Sequence, residues 1–288
     1  YQSLFYTGNQ LINDLFSSIV DCMNKNKSNE VKKEVINLLN TLSYERQTII
    51  DLTEIGKVPN GLELQKTYDN RIICLSSILP SKSLTSIEAM DISYKAFDNK
   101  KIISHLVNTN DFIAFQTPYY KVEINEKGEF KSLYDRVYAR EIVAPNKVMN
   151  RLMVYEDRPT SFDAWNIDAF YTEKSWQIDT ASEIKMVDNG SIRSTIVVKR
   201  VFCDSVIVQK IHFYQHSRRI DFETEIDWQQ HQLLLKALFD VDVFSNKANY
   251  DVQFGQVERA NHKNTSWDEA QFEVCAHKWV DLSEANYG

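Results

Sequence analysis

One stretch of the sequence combines two residue types that a sugar-processing site needs. Residues 154–171 read VYEDRPTSFDAWNIDAFY, in which carboxylates and aromatic rings follow one another closely. Carboxylates transfer protons and bind hydroxyl groups, and flat rings cover the apolar faces of a pyranose. The candidate substrate-binding residues of this stretch are Tyr155, Asp157, Arg158, Asp163 and Trp165.

The same stretch also fits a structural role. Asp163 and Asp168 could form the carboxylate pair of a glycosidase, in which the distance between the two groups separates retaining from inverting enzymes. A charged strand edge over a packed core has the same composition, and polar clusters in folds are usually structural networks. In that case we expect most of the rings to be core residues, namely Tyr155, Phe162, Trp165, Phe170 and Tyr171.

The sequence gives no support for a metal site, a Ser-His-Asp hydrolase or a phosphate-binding loop. His212 and His216 lie four residues apart in a strand-like segment, which differs from the helical histidine pair of a zinc protease. His262 and His277 are isolated from any Cys or carboxylate cluster with ligand spacing. The seven glycines form neither a G-x-S-x-G motif nor a phosphate-binding loop. We therefore predict that this chain holds no metal.

Composition excludes two further classes of protein. The 288 residues include 33 basic and 40 acidic ones, which gives a net charge of −7 and argues against a nucleic-acid partner. No apolar run approaches the roughly 20 residues of a membrane helix, so no membrane partner is expected. Four scattered cysteines are expected to be buried free thiols, which fits a cytoplasmic location.

The elements that must position the candidate residues follow from hydrophobic periodicity. Residues 1–28 are predicted to contain one amphipathic helix, whose stripe is Leu11, Ile12, Leu15, Phe16, Ile19, Val20 and Met23. Residues 31–90 are predicted as a small β-domain, with a boundary within 86–105. Residues 105–288 contain long strand patterns in series without interleaved helices. This pattern predicts a mainly β fold with a large antiparallel β-sandwich.

The clearest strand is RIDFETEIDW, residues 219–228, because apolar and charged residues alternate throughout it. We expect Ile220, Phe222, Ile226 and Trp228 to be buried and Asp221, Glu223 and Glu225 to be exposed.

Three segments resemble glycoside hydrolase family 38, the α-mannosidases. They are LLNTLSYERQTIIDL, NRLMVYEDRPTSFDAWNIDAFY and VQFGQVERANHKNTSWDEAQFEVCAHKWVDLSEANYG, in the same order as in the family. The resemblance spans roughly residues 30–288, and the last segment is the most specific. Asn166, where Asp is common, and Ala260, where Pro is common, are the departures from the pattern.

The resemblance implies the layout of a larger enzyme. Family members have an N-terminal (β/α) domain with a zinc ion and the catalytic aspartates of a retaining mechanism, then a three-helix bundle, then β-domains that end in a mutarotase-like sandwich. The zinc ligands, two Asp and two His, lie in motifs without a counterpart here, so no catalytic or zinc residue is carried over. The expected partners are an α-mannoside and the N-terminal catalytic domain of the same chain. The 155–165 stretch is expected to face that domain, and the helix at 9–24 to be the end of the bundle. In that setting the resemblance implies that Asp157, Arg158, Asp163 and Trp165 line an outer sugar subsite or the domain interface.

Other interpretations stay open at this point. One is a free-standing carbohydrate-binding β-sandwich. Another is a mutarotase-like enzyme, whose acid–base pair would combine His212 or His262 with Glu223 or Glu258. In the last family-like segment, Cys275, Trp279 and Leu282 are expected to be core residues.

Overall fold

A computed structural model describes residues 10–19, 21, 34–91, 97, 101–109, 112–163 and 165–288. The fold is mainly β with one helix near the N-terminus, as the sequence predicted. This helix, α1, covers residues 10–19, and its apolar side chains Leu11, Ile12 and Leu15 are each 64% exposed. Val20 and Met23, the other predicted members of the stripe, lie outside the described residues. Within the described ranges, no helix has the length and apolar character needed to cross a membrane.

The chain divides into two compact units, residues 1–99 and 100–288. In the first unit, two three-stranded antiparallel sheets have the strand orders β1-β6-β3 and β2-β5-β4. Their strands are β1 (Val35–Asn40), β2 (Ile49–Asp51), β3 (Lys57–Pro59), β4 (Leu64–Lys66), β5 (Ile72–Leu75) and β6 (Ser83–Asp91). The core of this unit is formed by Ile36, Leu52, Val58, Leu64 and Cys74.

The second unit contains the remaining strands and two short helices. They are β7 (Ser104–Asn108), β8 (Phe112–Gln116), β9 (Tyr120–Asn125), β10 (Phe130–Asp135), β11 (Arg140–Glu141), β12 (Met149–Glu156), the 3₁₀ helix η1 (Ala169–Glu173), β13 (Ser175–Gln177), β14 (Ala181–Asn189), β15 (Arg193–Phe202), β16 (Ser205–Tyr214), β17 (Ile220–Asp227), β18 (Leu233–Phe239), β19 (Lys247–Val252), β20 (Gly255–Ala260), α2 (Ser266–Ala270) and β21 (Val280–Asp281).

Two of the sheets in this unit form an antiparallel β-sandwich, which confirms the predicted fold class. The larger has the order β13-β12-β10-β9-β8-β7, with β11 and β18 paired to β10 and β12, and the smaller has the order β14-β15-β16-β17. Alternate side chains of the two sheets meet in one core. The core residues include Ile113, Phe115, Val122, Ile124 and Phe130 from the first sheet and Ile196, Val198, Ile211 and Phe213 from the second.

The alternating strand β17 is less buried than its pattern predicted. Ile220 and Phe222 are half-buried and pack on the core, but Ile226 is 48% exposed, so its predicted burial was wrong. β17 lies at the edge of its sheet, where the core covers its inward face only in part. Trp228 is half-buried and stacks on Phe202 at 6.0 Å between ring centroids. On the other face Glu223 and Glu225 are exposed as expected, whereas Asp221 is half-buried because Tyr214 Oη donates to it at 2.7 Å.

The C-terminal segment was also predicted to be more buried than it is. Cys275 and Trp279 are exposed and Leu282 is half-buried. Its strands β20, β19 and β21 form a separate small sheet. Polar bonds hold the segment, such as Arg259 Nη1 to the carbonyl oxygen of Cys275 at 3.2 Å. Cys203 is exposed as well, and only Cys74, a thiol whose pKa burial raises to about 11, behaves as the expected buried cysteine among those described.

A buried polar network fixes the turn between β9 and β10 from inside the sandwich. Arg200 is 1% exposed, and it donates from Nε to the carbonyl oxygen of Lys127 and from Nη2 to that of Gly128, both at 3.0 Å. Gln209 Oε1 accepts from Arg200 Nη1 at 3.2 Å and from Asn150 Nδ2 at 2.7 Å. Burial lowers the pKa of Arg200 to about 10. The turn is therefore held by a guanidinium group that has little freedom to move.

Candidate functional site

The candidate residues lie on the segment that leaves strand β12 and returns as β13. β12 pairs along its length with β18 and, at its end, with β13. Residues 157–168 connect β12 to η1. Backbone bonds close the base of this loop, from Glu156 N to the oxygen of Lys174 at 3.0 Å and from Asp157 N to the oxygen of Gln232 at 2.8 Å. The loop therefore projects from a base that is fixed on both sides.

Asp168 holds the loop in shape. Its Oδ2 accepts from Thr160 N at 2.7 Å and from Thr160 Oγ1 at 2.9 Å, and its Oδ1 accepts from Asn166 Nδ2 at 2.8 Å. These bonds, those from Thr160 first, lower the pKa of Asp168. With both oxygens engaged in the loop itself, Asp168 acts as a structural carboxylate, which leaves little basis for pairing it with Asp163 in catalysis.

The expectation that the rings of this stretch are core residues was wrong for three of them. Trp165 is 91% exposed, Phe162 is 78% exposed and Phe170 is also exposed. The physical reason is a turn at Phe162, whose φ is +60° and whose carbonyl oxygen accepts from the N–H groups of Trp165 at 2.8 Å and Asn166 at 2.9 Å. The turn satisfies the backbone locally, so the loop keeps its shape without burying these side chains. The loop therefore presents large apolar rings to solvent.

The carboxylates beside these rings affect one another. Burial raises the pKa of Asp157, and the nearby charges of Asp163 and Asp168 raise it further. Asp157 Oδ1 is buried and accepts no hydrogen bond from any described residue. Arg158 is exposed, and its Nε lies 3.6 Å from Glu156 Oε1, which Lys174 Nζ approaches more closely, at 2.9 Å. The structure thus brings Asp157 and Asp163 together, while Arg158 is directed to a neighbouring ion pair.

Tyr155 belongs to a different cluster, at the end of β12. Its ring meets that of Tyr171 edge-on, with 5.2 Å between centroids. Lys236 Nζ lies 4.7 Å from the centre of the Tyr171 ring, donates to Tyr171 Oη at 2.8 Å and forms an ion pair with Glu273. Tyr171 Oη in turn donates to Glu273 at 2.7 Å. These contacts tie η1 and the segment before β21 to the base of the loop.

Sequence reasoning missed Lys236 and Glu273, because they are far from Tyr155 along the chain. The register of β18 against β12 places Lys236 near Tyr155, with Leu234 opposite Tyr155 and Lys236 opposite Met153. Glu273 lies on the segment before β21 and reaches Lys236 through its side chain. A signal was present, since Lys236 is a single charged residue in the apolar run LLLKALF. Such a lysine needs an anionic or aromatic partner.

The residues considered for a mutarotase-like acid–base pair meet in only one combination. His212 Nε2 lies 3.3 Å from Glu223 Oε2, and His212 Nδ1 lies 3.0 Å from Thr195 Oγ1. His262 instead approaches Asp268 at 3.5 Å, and Glu258 pairs with Lys247. His212 is only 3% exposed, and burial, followed by the charge of Arg193, lowers its pKa. A neutral histidine without solvent access is placed to stabilise the sheet rather than to meet a sugar.

No group of three or more His, Cys, Asp or Glu side chains within the described ranges is arranged to hold a metal ion. The zinc ion that the family resemblance implies therefore has no fitting ligand set among these residues.

The fold is an antiparallel β-sandwich with an exposed loop after β12, and a comparison with family models defines its class. Residues 115–288 match the model of the glycosyl hydrolases family 38 C-terminal domain. The chain therefore belongs to glycoside hydrolase family 38, the α-mannosidase family named above from the sequence resemblance.

Curated relatives carry α-mannosidase names. Alpha-mannosidase G of Dictyostelium discoideum is 31% identical over 94% of this chain and 23% of its own length. Human alpha-mannosidase 2C1 is 30% identical over 62% of this chain and 18% of its own length. The chain thus spans less than a quarter of each.

Solved structures share the fold. A glycosyl hydrolase family 38 protein from Enterococcus faecalis superposes with a TM-score of 0.51 at 12% identity, covering 81% of this chain and 30% of that one.

Proposed function

We propose that this chain is the C-terminal β-region of a zinc-dependent, retaining α-mannosidase and that catalysis takes place elsewhere in the complete protein. The observation that carries the proposal is the family match over residues 115–288, together with relatives named as α-mannosidases that are about four times longer. The buried core of the sandwich supplies a rigid support. The catalytic aspartates and the zinc ion belong to a region beyond the residues of this chain.

Within that enzyme, the loop after β12 contacts the mannoside at the edge of the active site. The support for this is the exposure of Trp165 and Phe162 on a loop that Asp168 holds in shape. An indole ring packs on the apolar patch of a pyranose, and a carboxylate such as Asp163 accepts from its hydroxyl groups.

Arg158 adds exposed donors to this contact surface. Asp157 has its Oδ1 atom buried, so it lies behind the surface, where its charge acts on Asp163. Tyr155 has a different role, since its half-buried ring supports the base of the loop beside Tyr171.

A cytoplasmic location belongs to the same proposal. Cys203 and Cys275 are exposed and unpaired, and exposed thiols persist in a reducing compartment. Fractionation of cells that express the tagged complete protein tests this, and recovery in the secreted or vacuolar fraction would contradict it.

The proposed activity is tested on the complete protein with an aryl α-mannoside. We expect hydrolysis that is lost on treatment with a chelator and restored by zinc. The first sugar product, followed by proton NMR, should be the α-anomer, because a retaining mechanism passes through a covalent intermediate. Release of the β-anomer first, or activity that survives exhaustive metal removal, would refute the mechanism. A complete protein inactive on α-mannosides would refute the substrate class.

A further inference from the structure

A cleft opens in the sandwich, formed by parts of the chain other than the loop after β12. It has a volume of about 500 Å³ and lies at the rim where the start of β8, the β9–β10 turn and the start of β14 meet. Its size falls in the usual range for small-ligand sites, about 300–1,000 Å³. The core residues Ile113 and Ile184 form part of its lining, so the cleft ends on the packed interior of the sandwich.

The lining of the cleft is amphipathic. Apolar surface is contributed by Phe112, Ile113, Ala181 and Ile184. Polar groups are contributed by Asn108, Thr109, Asn125, Glu126, Asp179, Thr180, Ser182 and Glu183. A ring with an apolar face and hydroxyl groups on its edges matches such a lining, because the aromatic side chain covers the face and the oxygens accept from the hydroxyls.

The acidic groups of the cleft select against anionic ligands. Glu126, Asp179 and Glu183 all line it, and Asp179 is neutralised by Lys127 Nζ at 2.9 Å. Glu126 and Glu183 are both exposed, so their carboxylate oxygens can accept from a ligand. Three carboxylates beside the single cation of Lys127 leave the lining negatively charged, which repels phosphate or a carboxylated sugar. They suit a neutral ligand rich in hydroxyl donors.

Both walls of the cleft are held in place before any ligand binds. On one wall, Asn125 Oδ1 accepts from the N–H groups of Lys127 and Glu129, both at 3.0 Å, which sets the turn that presents Glu126. The buried Arg200 holds the same turn from inside through the carbonyl oxygens of Lys127 and Gly128. A wall that does not have to be ordered on binding costs less affinity.

On the other wall, a β-bulge changes the direction of strand β14. The register of β14 against β15 shifts between Ala181 and Glu183, and Ser182 Oγ at the shift donates to the carbonyl oxygen of Lys199 at 3.2 Å. Bulges often occur beside binding sites, where they redirect a side chain. Here the redirected side chain is Glu183.

We infer that this cleft is an auxiliary subsite that binds a neutral hexopyranose residue of an oligosaccharide. Phe112 stacks on the sugar ring, and Glu126 and Glu183 accept from its hydroxyl groups. The identity of the sugar as mannose rests on the proposed function. The subsite itself lies outside the loop after β12 and extends the contact with longer substrates.

Titration of the purified chain with α-linked mannotriose, followed by saturation-transfer NMR, tests the inference. We expect saturable binding that is insensitive to added salt. Glu183→Gln should weaken it about tenfold, since a charged acceptor contributes at least that much. Phe112→Leu, which keeps apolar bulk but removes the ring, should weaken it about three- to tenfold. Asp204→Asn, in the exposed β15–β16 turn, is the matched control and should leave binding unchanged.

Thermal unfolding of each variant confirms that it is folded. Absence of saturable binding to the wild-type chain would overturn the inference. An equal loss of mannotriose affinity in Glu183→Gln and Asp204→Asn would also overturn it. So would binding of Ca²⁺ at the cleft in place of the sugar. Loss of binding in Trp165→Ala but not in Glu183→Gln would place the sugar on the loop after β12 instead.

The complete enzyme separates this inference from the proposed function. Glu183→Gln should raise KM for mannotriose and leave hydrolysis of a small aryl α-mannoside unchanged. An active enzyme in which the two substrates respond alike would overturn the subsite while leaving the α-mannosidase assignment intact.

Discussion

At the scale of single residues, the loop after β12 shows how exposed rings can be held without being buried. Asp168 and the turn at Phe162 form hydrogen bonds within the loop, so its backbone is held although Trp165 is 91% exposed. Composition alone favoured the core for these rings, because aromatic side chains are usually buried. Asp157 and Pro159 mark the end of β12 in the sequence, but they do not show whether the loop that follows packs on the core or leaves it.

Asp163→Asn tests the role of the loop in the complete enzyme. We expect kcat/KM for an α-mannoside to fall about ten- to a hundredfold, because a hydrogen bond to a charged group contributes about 1.5–3 kcal/mol. The melting temperature should stay the same, since Asp163 is exposed. Asp204→Asn serves as the control. An unchanged kcat/KM in a folded Asp163→Asn enzyme would assign the loop a structural role only.

At the scale of elements, the β9–β10 turn depends on one glycine. Gly128 has φ +77°, and a Cβ atom there would lie 2.4 Å from Val198 Cγ1 and 2.6 Å from Arg200 Nη2. Gly128→Ala should therefore destabilise the second unit by about 2–5 kcal/mol, the sum of left-handed strain and overpacking. Denaturant unfolding measures this value.

Gly61→Ala in the first unit is the matched control for the strain alone. Gly61 has φ +79°, but no atom lies within 4 Å of its Cβ position. Gly61→Ala should lower the free energy of unfolding of the first unit by only about 1–2 kcal/mol. Equal costs at the two positions would mean that the contact between the turn and Arg200 is unimportant for stability.

The contact between β16 and β17 predicts a pH dependence of stability. In the folded chain, burial lowers the pKa of His212 from 6.5, and the charge of Arg193 lowers it further. Glu223 and Asp221 raise the pKa, but the net shift is downward. The unfolded chain therefore takes up the proton at a higher pH than the folded chain. The free energy of unfolding must then fall as the pH decreases from about 6.5 towards the lower, folded-state pKa.

His212→Gln should flatten that slope, as measured by denaturant unfolding between pH 7 and pH 5. His231→Gln, at an exposed position, should leave it unchanged. Glu223, whose pKa is lowered first by its bond from Lys210, acts in a separate window below its ordinary value of 4.5. A slope that is the same in His212→Gln and in the wild-type chain would contradict the buried, neutral state of His212.

At the scale of the whole molecule, periodicity was enough to predict the sandwich but not which of its surfaces are covered. Alternation in β17 predicted a strand with two faces, yet Ile226 is exposed because burial depends on the edge position of that strand. The same holds for Cys275 and Trp279, whose residue types suggest a core. The Lys236–Tyr171–Glu273 cluster depends on the pairing of β18 with β12, which a single sequence does not specify.

The central claim, that this chain is a non-catalytic part of an α-mannosidase, is tested most directly on the isolated chain beside the complete protein. Both are assayed for hydrolysis of an aryl α-mannoside and for bound zinc by elemental analysis. We predict that the complete protein turns over the substrate and holds one zinc ion. The isolated chain should be folded, show no turnover above background and hold no stoichiometric zinc. Turnover by the isolated chain, or one tightly bound zinc ion per isolated chain, would contradict the account.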